Sequence, residues 1–471
     1  MEQLRSDINI RLDYNNMTSD FIKGGITKED IKKMSPKIQS AIESITKKRK
    51  EGKLDFMDLP YNQNKIVEEI KSYASEQMPK IEAFIVLGIG GSALGPMAVQ
   101  QAINHPYYNE LSDEKRGGPK FYVVDNVDPE KLVYLFQIIN VKKCLFNVIS
   151  KSGSTAETMS QFMIIVDLLE KQLGKEKAKD HIVCTTDSEK GNLIKIAKEA
   201  GYKTFFIPSG VGGRFSQLTP VGLLPAAFCN IKIEDLLHGA AIMDNLCKNS
   251  DHEHNPALMY AILNYISLEA GQNISVLMPY ADSLKYVSDW YAQLWAESLG
   301  KKYDNNGNIV NVGSTPVKAL GATDQHSQVQ LYTEGPYDKV IVLMGLDEYR
   351  ESITIPPIFG DIPSVSFLGG YTHNNLIQAE QMATEYALLK ENRPNMTITL
   401  PVLNEFTIGQ IIYFFEVATA YMGEFLNINA FDQPGVEEGK NATYALFNRP
   451  GYENKKEEML KAPKKDPNKI I

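Results

Sequence analysis

From Ala83 onward, short apolar runs alternate with segments of helical periodicity. The runs fall at 83–87, 121–124, 145–149, 182–185 and 204–207, and the helical segments at 94–103, 129–139, 156–169 and 192–200. Runs this short and continuously apolar suit strands buried on both faces. Strands that alternate with helices make βαβ units and a parallel sheet covered on both sides. A second, shorter alternation follows, with strands expected at 274–278, 340–344 and 396–400 and helices at 280–299 and 375–390. The expected architecture is α/β: a polar helical N-terminal wrap over 1–80, parallel-sheet units over 81–269 and 270–400, and a helical C-terminal arm over 401–471. The greasy stretch 408–426 is interrupted by Gln410, Glu416 and Gly423. It reads as a buried or amphipathic helix and not as a membrane span. The Lys/Pro-rich end, 455–469, is expected to form an arm or to fray.

Bulk properties narrow the partners. With 471 residues, 43% of them hydrophobic and 23% charged, the chain can fill two or three globular domains. A net charge of −9 gives neither the basic footprint of a nucleic-acid binder nor a polybasic membrane patch. Any anion site must therefore be locally positive. The cysteines, at 144, 184, 229 and 247, have no C-x-x-C spacing, and the first three lie in or beside apolar runs. Free thiols in a reducing compartment are expected. The N-terminus lacks an apolar signal core, so the expected location is cytoplasmic.

The densest chemistry lies between 150 and 155, where Ser150, Lys151, Ser152, Gly153, Ser154 and Thr155 follow a strand and precede a helix. A helix N-terminus offers free N–H groups and a positive dipole end. Hydroxyls and one ammonium complete a cradle for phosphate. An ordinary serine-rich N-cap needs one such side chain, whereas this turn carries four hydroxyls and a lysine. The turn therefore points to a phosphorylated metabolite.

Gly88 to Ala93 also follows a strand and opens a helix, and it matches G-x-G-x-x-A. The acid that a dinucleotide site needs about 20 residues later is missing, and Asp125 lies too far on. No Lys-Ser/Thr follows, so the stretch is not a P-loop. What remains is a glycine turn that lets backbone and Ser92 approach a ligand. Ligands of open parallel sheets bind at the carboxyl ends of the strands, where both turns fall.

Other groups stand further along. Arg214, in Gly212-Gly213-Arg214-Phe215-Ser216, suits an oxyanion or is an exposed loop residue. Gln293 and Glu297 share one helix face with Trp290 behind them. A carboxylate among aromatics can be desolvated into a useful base, although an isolated Glu more often faces solvent. His326 sits in a polar turn and suits acid–base work near neutral pH or a structural role. His252-Glu253-His254 lacks H-E-x-x-H spacing and reads as a solvated loop, with no metal site expected. Gln433 and Lys440 bracket a turn that alone reads as an ordinary helix start.

Taken in order, these segments resemble the glucose-6-phosphate isomerase (phosphoglucose isomerase) family, in its shorter bacterial layout. The resemblance rests on the 88–92 turn, Ser-Lys-Ser-Gly-Ser-Thr at 150–155, Gly-Gly-Arg-Phe-Ser at 212–216, Gln293-x-x-x-Glu297-Ser-x-Gly-Lys301, Gln325-His326 and Gln433-x-Gly-Val-Glu-x-Gly-Lys440. It implies two SIS-type, flavodoxin-like αβα domains. It also implies reversible isomerisation of D-glucose 6-phosphate to D-fructose 6-phosphate through ring opening and a cis-enediol(ate). The phosphate would sit on Ser92, Ser150, Lys151, Ser152 and Thr155, with Gly91, Gln293 and Gln433 also lining the substrate. Glu297 would move the proton between C1 and C2. His326 and Lys440 would handle ring opening, and Arg214 the intermediate's charge. His326 would reach the neighbouring subunit's site in a homodimer, and no cofactor is implied. Gly153 stands where other versions have an aromatic, and Pro434 where some have a bulkier residue. A sugar-phosphate sensor built on SIS domains, or an isomerase for mannose 6-phosphate or an amino sugar, is the alternative.

Overall fold

A computed structural model describes residues 8–471 of the chain. The apolar runs form one wholly parallel sheet. Its spatial order is Lys120–Val124, Ala83–Leu87, Cys144–Ile149, Ile182–Asp187, Lys203–Ile207. Every residue of Ala83–Leu87 and Cys144–Ile149 is buried, as continuous apolar runs require. The chain leaves Ala83–Leu87 for one edge and then returns to its other side at Cys144–Ile149. That reversal is a topological switch point, and the crevice beyond it is where such sheets hold ligands. The loops that open onto it are the 88–91 and 150–155 turns.

The second sheet repeats the reversal. Its order is Arg11–Asp13, Asn395–Val402, Lys339–Glu348, Ile274–Pro279, Thr315–Lys318. All neighbours are parallel except Arg11–Asp13, which pairs antiparallel with Asn395–Val402. Two of these strands carry little sequence signal. Thr-Pro-Val-Lys holds a proline, which is tolerated because Thr315–Lys318 is an edge strand. Arg-Leu-Asp is too short for periodicity, and only its pairing makes it a strand. The sheet therefore borrows its outer strand from the N-terminal segment.

Helix Glu405–Phe425 runs through the centre of the molecule, with nearly every residue buried. It packs against Ile233–Cys247, Pro256–Glu269, Ser35–Lys50 and Lys285–Leu299, which is why it is apolar on all sides. No helix among the described residues is long and apolar enough to cross a membrane. Glu416 lies fully buried on this helix with both carboxyl oxygens unpartnered. Burial pushes its carboxyl well above the ordinary range. Beyond this helix the polar tail folds into two more, Glu437–Leu446 and Glu453–Leu460.

The N-terminal helices are fastened to this core through Asp244, which is wholly buried. Its carboxylate accepts from Arg49 Nη1 at 2.6 Å, Tyr61 OH at 2.6 Å and Tyr413 OH at 2.5 Å, and Lys248 Nζ lies 2.6 Å away. Burial alone would raise this carboxyl, but the hydrogen bonds from Arg49, Lys248, Tyr413 and Tyr61 hold it below its usual range. A depressed folded value gives stability that is present above the unfolded value, about 3.9. That stability is lost as pH falls through the folded value. Asp244→Ala removes the acceptor that Arg49, Tyr61 and Tyr413 share and leaves Arg49 only the more exposed Asp58 at 2.8 Å, and it is expected to cost about 3 kcal/mol. A urea midpoint equal to that of the parent would refute the assignment.

Candidate active site

The Ser150–Thr155 turn leaves the sheet at its switch point and opens helix Ala156–Leu173. Ser150 Oγ accepts from Gly153 N at 3.0 Å and lies 3.4 Å from Thr155 Oγ1, while Ser152 Oγ lies 2.9 Å from Ser154 Oγ. Thr155 occupies the N-cap position, yet its hydroxyl makes no cap hydrogen bond. The plain capping role is therefore not the one this residue plays. Gly153 takes φ +61°, and a Cβ there would stand 2.1 Å from Leu193 N, so the turn is pressed onto the next helix start. An aromatic at this position would not fit.

Lys151 reaches across to a third loop. Its Nζ donates to the carbonyls of Ser209 at 2.6 Å and Val211 at 2.9 Å. Burial lowers its affinity for the proton, while Asp187 and Asp55 oppose the shift. That loop continues into the short turn Gly213–Phe215 and carries Arg214, whose side chain is 5% exposed.

Arg214 gathers groups from two distant segments of the chain. Nη1 donates to Glu297 Oε2 at 2.7 Å and to Gln433 Oε1 at 2.9 Å. Nε donates to Ser298 Oγ at 3.0 Å, and Nη2 to the carbonyls of Ala430 at 3.0 Å and Asp432 at 3.2 Å. Glu297 keeps a third of its side chain exposed, 32%, so its carboxylate is anchored at one oxygen and still accessible.

Glu297 and Gln293 belong to the last turns of helix Lys285–Leu299, which packs against Gly91–Ile103. Gln293 lies against Gly90 in the glycine turn. A Cβ on Gly91 would come within 2.1 Å of Gly213 O, so this turn and the Arg214 turn abut directly. Gly91, Ser92, Arg214, Gln293, Glu297 and Gln433 thus share one locality. The expected aromatic environment of Glu297 is not what the structure has. Trp290 is 3% exposed and lines a small core cavity with Gln217 and Ile411. It stands about 10 Å away along the helix axis, and the neighbour that conditions Glu297 is Arg214.

The C-terminal arm closes the other side. It passes from Gln433 into helix Glu437–Leu446, where Tyr444 OH donates to Ser154 O at 3.1 Å. Lys440, one turn before Tyr444, is exposed and pairs with Glu437 at 2.8 Å. Sequence reasoning gave no role to Tyr444, Ser298, Asp432 or Lys301. Only spacing hinted at them: Tyr444 lies four residues after Lys440, and Ser298 and Lys301 follow Glu297 by one and four residues.

His326 is not with this group. It is exposed in the turn Thr323–His326, after strand Thr315–Lys318. That turn lies by the start of helix Lys285–Leu299: Gly321 N donates to Pro279 O at 2.9 Å, and Lys285 acts on the Asp324 carboxyl. From Lys285 to Glu297 the helix rises about 18 Å. His326 and Glu297 of one chain therefore stand at opposite ends of the same helix.

The fold and site define an α/β protein built on two five-stranded sheets, with a serine-rich strand-end turn joined to a carboxylate–guanidinium pair. A family model for phosphoglucose isomerase matches residues 61–461. Glucose-6-phosphate isomerase of Carboxydothermus hydrogenoformans is 52% identical over 463 residues, 98% of this chain and 99% of that one. The enzyme of the same name from Rubrobacter xylanophilus is 40% identical over 444 residues, 94% and 99% of the two chains. Among solved structures, a hypothetical protein of Thermus thermophilus superposes with a TM-score of 0.84 at 36% identity, covering 93% of this chain and 99% of that one. This chain belongs to the phosphoglucose isomerase family.

The contact between the two turns is a steric constraint that can be measured. Gly91→Ala forces a methyl group onto the Gly213 carbonyl and is expected to destabilise the fold by about 1–3 kcal/mol. An unchanged melting temperature would show that the turns can separate freely.

Proposed function

We propose that this chain interconverts D-glucose 6-phosphate and D-fructose 6-phosphate, with Glu297 carrying the proton between C2 and C1. The observation that supports this reading most is the Arg214–Glu297–Gln433 cluster at the mouth of the switch-point crevice. The phosphate is held by Ser92, Ser150, Lys151, Ser152 and Thr155, with the helix N-terminus behind them. It does not react, so its binding energy serves to place the sugar over Glu297. His326 and Lys440 supply the proton transfers that open the ring.

In the open aldose, the Glu297 carboxylate takes the C2 proton. The C–H electron pair becomes the C1–C2 double bond, and the C1 carbonyl oxygen takes the charge. Arg214 faces that charge. A fixed guanidinium stabilises a developing oxyanion best where water is scarce. The O2 hydroxyl proton then passes to O1, Glu297 returns its proton at C1, and the C2 oxygen becomes the ketose carbonyl. Only protons move, so the steps balance without a redox partner.

His326 acts on the neighbouring subunit's substrate in a homodimer, and the enzyme works in the cytoplasm. The support for the first point is the separation of His326 from Glu297 within one chain.

Two experiments test this reading. Glu297→Gln keeps the shape and removes the base. Exchange of solvent deuterium into C2 is expected to vanish while a competitive sugar-phosphate inhibitor still binds. Undiminished exchange would remove Glu297 from its role. For His326, two inactive variants, Glu297→Gln and His326→Ala, are unfolded together and refolded as a mixture. Hybrid dimers then regain one intact site, so activity reappears. A mixture as inactive as its components would place His326 in its own chain's site.

A further inference from the structure

Lys301 has no role in the reaction as described, yet it lies directly behind it. It follows helix Lys285–Leu299 after one glycine and begins strand Lys301–Tyr303. Its side chain is 5% exposed. Nζ folds back to donate to the carbonyls of Glu297 at 2.8 Å and Ser298 at 2.9 Å. The same nitrogen lies 3.8 Å from Asp432 Oδ1. A cation at the end of a helix meets the negative end of the dipole and the carbonyls that lack intrahelical partners.

The chain segments that Lys301 touches are those that Arg214 clamps. Arg214 holds the side chains of Glu297 and Ser298 and the backbone of Ala430 and Asp432, while Lys301 holds the backbone of Glu297 and Ser298 and approaches the side chain of Asp432. The two cations therefore grip the same junction. We propose that Lys301 is a positioning residue for the isomerisation, tying the Glu297 backbone to the 430–433 segment so that the carboxylate and Gln433 meet Arg214 in one fixed geometry. The inference rests on Glu297 being the proton carrier. Lys301 itself touches no reacting atom.

The position also makes the tie sensitive to pH. Burial pulls the Lys301 ammonium down to about 8, with Arg214 adding to the effect and Asp432 and Glu297 opposing it. These are the charged groups that face it from the 212–216 turn, the 430–433 segment and the helix. Below that pH Lys301 is a charged donor to the two carbonyls. Above it the charge is lost, and the hydrogen bonds weaken to those of a neutral amine.

The test compares the parent enzyme, Lys301→Met and Lys301→Arg from pH 6 to pH 10. In the parent, kcat is expected to fall through an alkaline limb near pH 8. Lys301→Met is expected to lower kcat at neutral pH by about tenfold to a hundredfold through misplacement of the carboxylate. Its KM should change by less than about twofold, and its alkaline limb should disappear. Lys301→Arg, charged throughout, should restore most of kcat and leave no limb below about pH 9. A Lys301→Met enzyme with parental kcat, or one that keeps the limb near pH 8, overturns the proposal. If Lys301→Met does not fold, a Lys301→Arg enzyme with the parental limb overturns it equally. Glu297→Gln is run alongside. Full activity in that variant discards the proton-carrier reading, whereas its inactivity with an indifferent Lys301→Met discards only the role of Lys301.

Discussion

A buried guanidinium is the constraint on which the site depends. Burying an arginine means burying a charge, because a guanidinium does not give up its proton in proteins. A carboxyl has another route, and burial pushes that of Glu416 on the central helix well above the ordinary range. Arg214 must instead be supplied with acceptors, and it has them from Glu297, Ser298, Ala430, Asp432 and Gln433. A buried charge deprived of its partner costs about 3–5 kcal/mol. The end of one helix and the start of the C-terminal arm are therefore obliged to converge on a single loop. The Glu297 carboxylate is held in place by the needs of its neighbour.

That loop is placed by topology. The switch between Ala83–Leu87 and Cys144–Ile149 leaves a crevice at one sheet edge, with the glycine turn and the serine-rich turn on its two sides. Helix Lys285–Leu299 belongs to the other sheet but lies against Gly91–Ile103, which brings Gln293 and Glu297 over the first turn. Close approach needs small residues, and Gly91 against Gly213 O is where the two loops meet. Lys151 adds a polar tie from the phosphate-type turn to the loop that bears Arg214. Groups that would hold a sugar phosphate at its unreactive end are thus linked mechanically to the group that would meet charge at the other.

Much of this was legible in the chain. The continuous apolar runs marked the first sheet because a strand buried on both faces has no polar alternation to obscure it. The six motif segments identified the family, since each combines residue types that ordinary packing does not require. Other parts were illegible for physical reasons. Arg11–Asp13 and Thr315–Lys318 are too short or too polar to announce a strand, and only their pairing partners create one. Tyr444 carries no local mark of its contact with Ser154, which lies 290 residues away.

By itself the sequence determined the fold class, the family and the small-residue turns that follow the strands, because these follow from local periodicity and from side-chain type. Only the tertiary structure decided who stands beside whom. It turned Trp290 into the core and gave Glu297 a guanidinium for a neighbour. It set Lys301 behind that pair and left His326 at the far end of the helix. Those choices depend on how two sheets, a central helix and an arm pack together, and a contact across hundreds of residues leaves no periodicity in the chain to read.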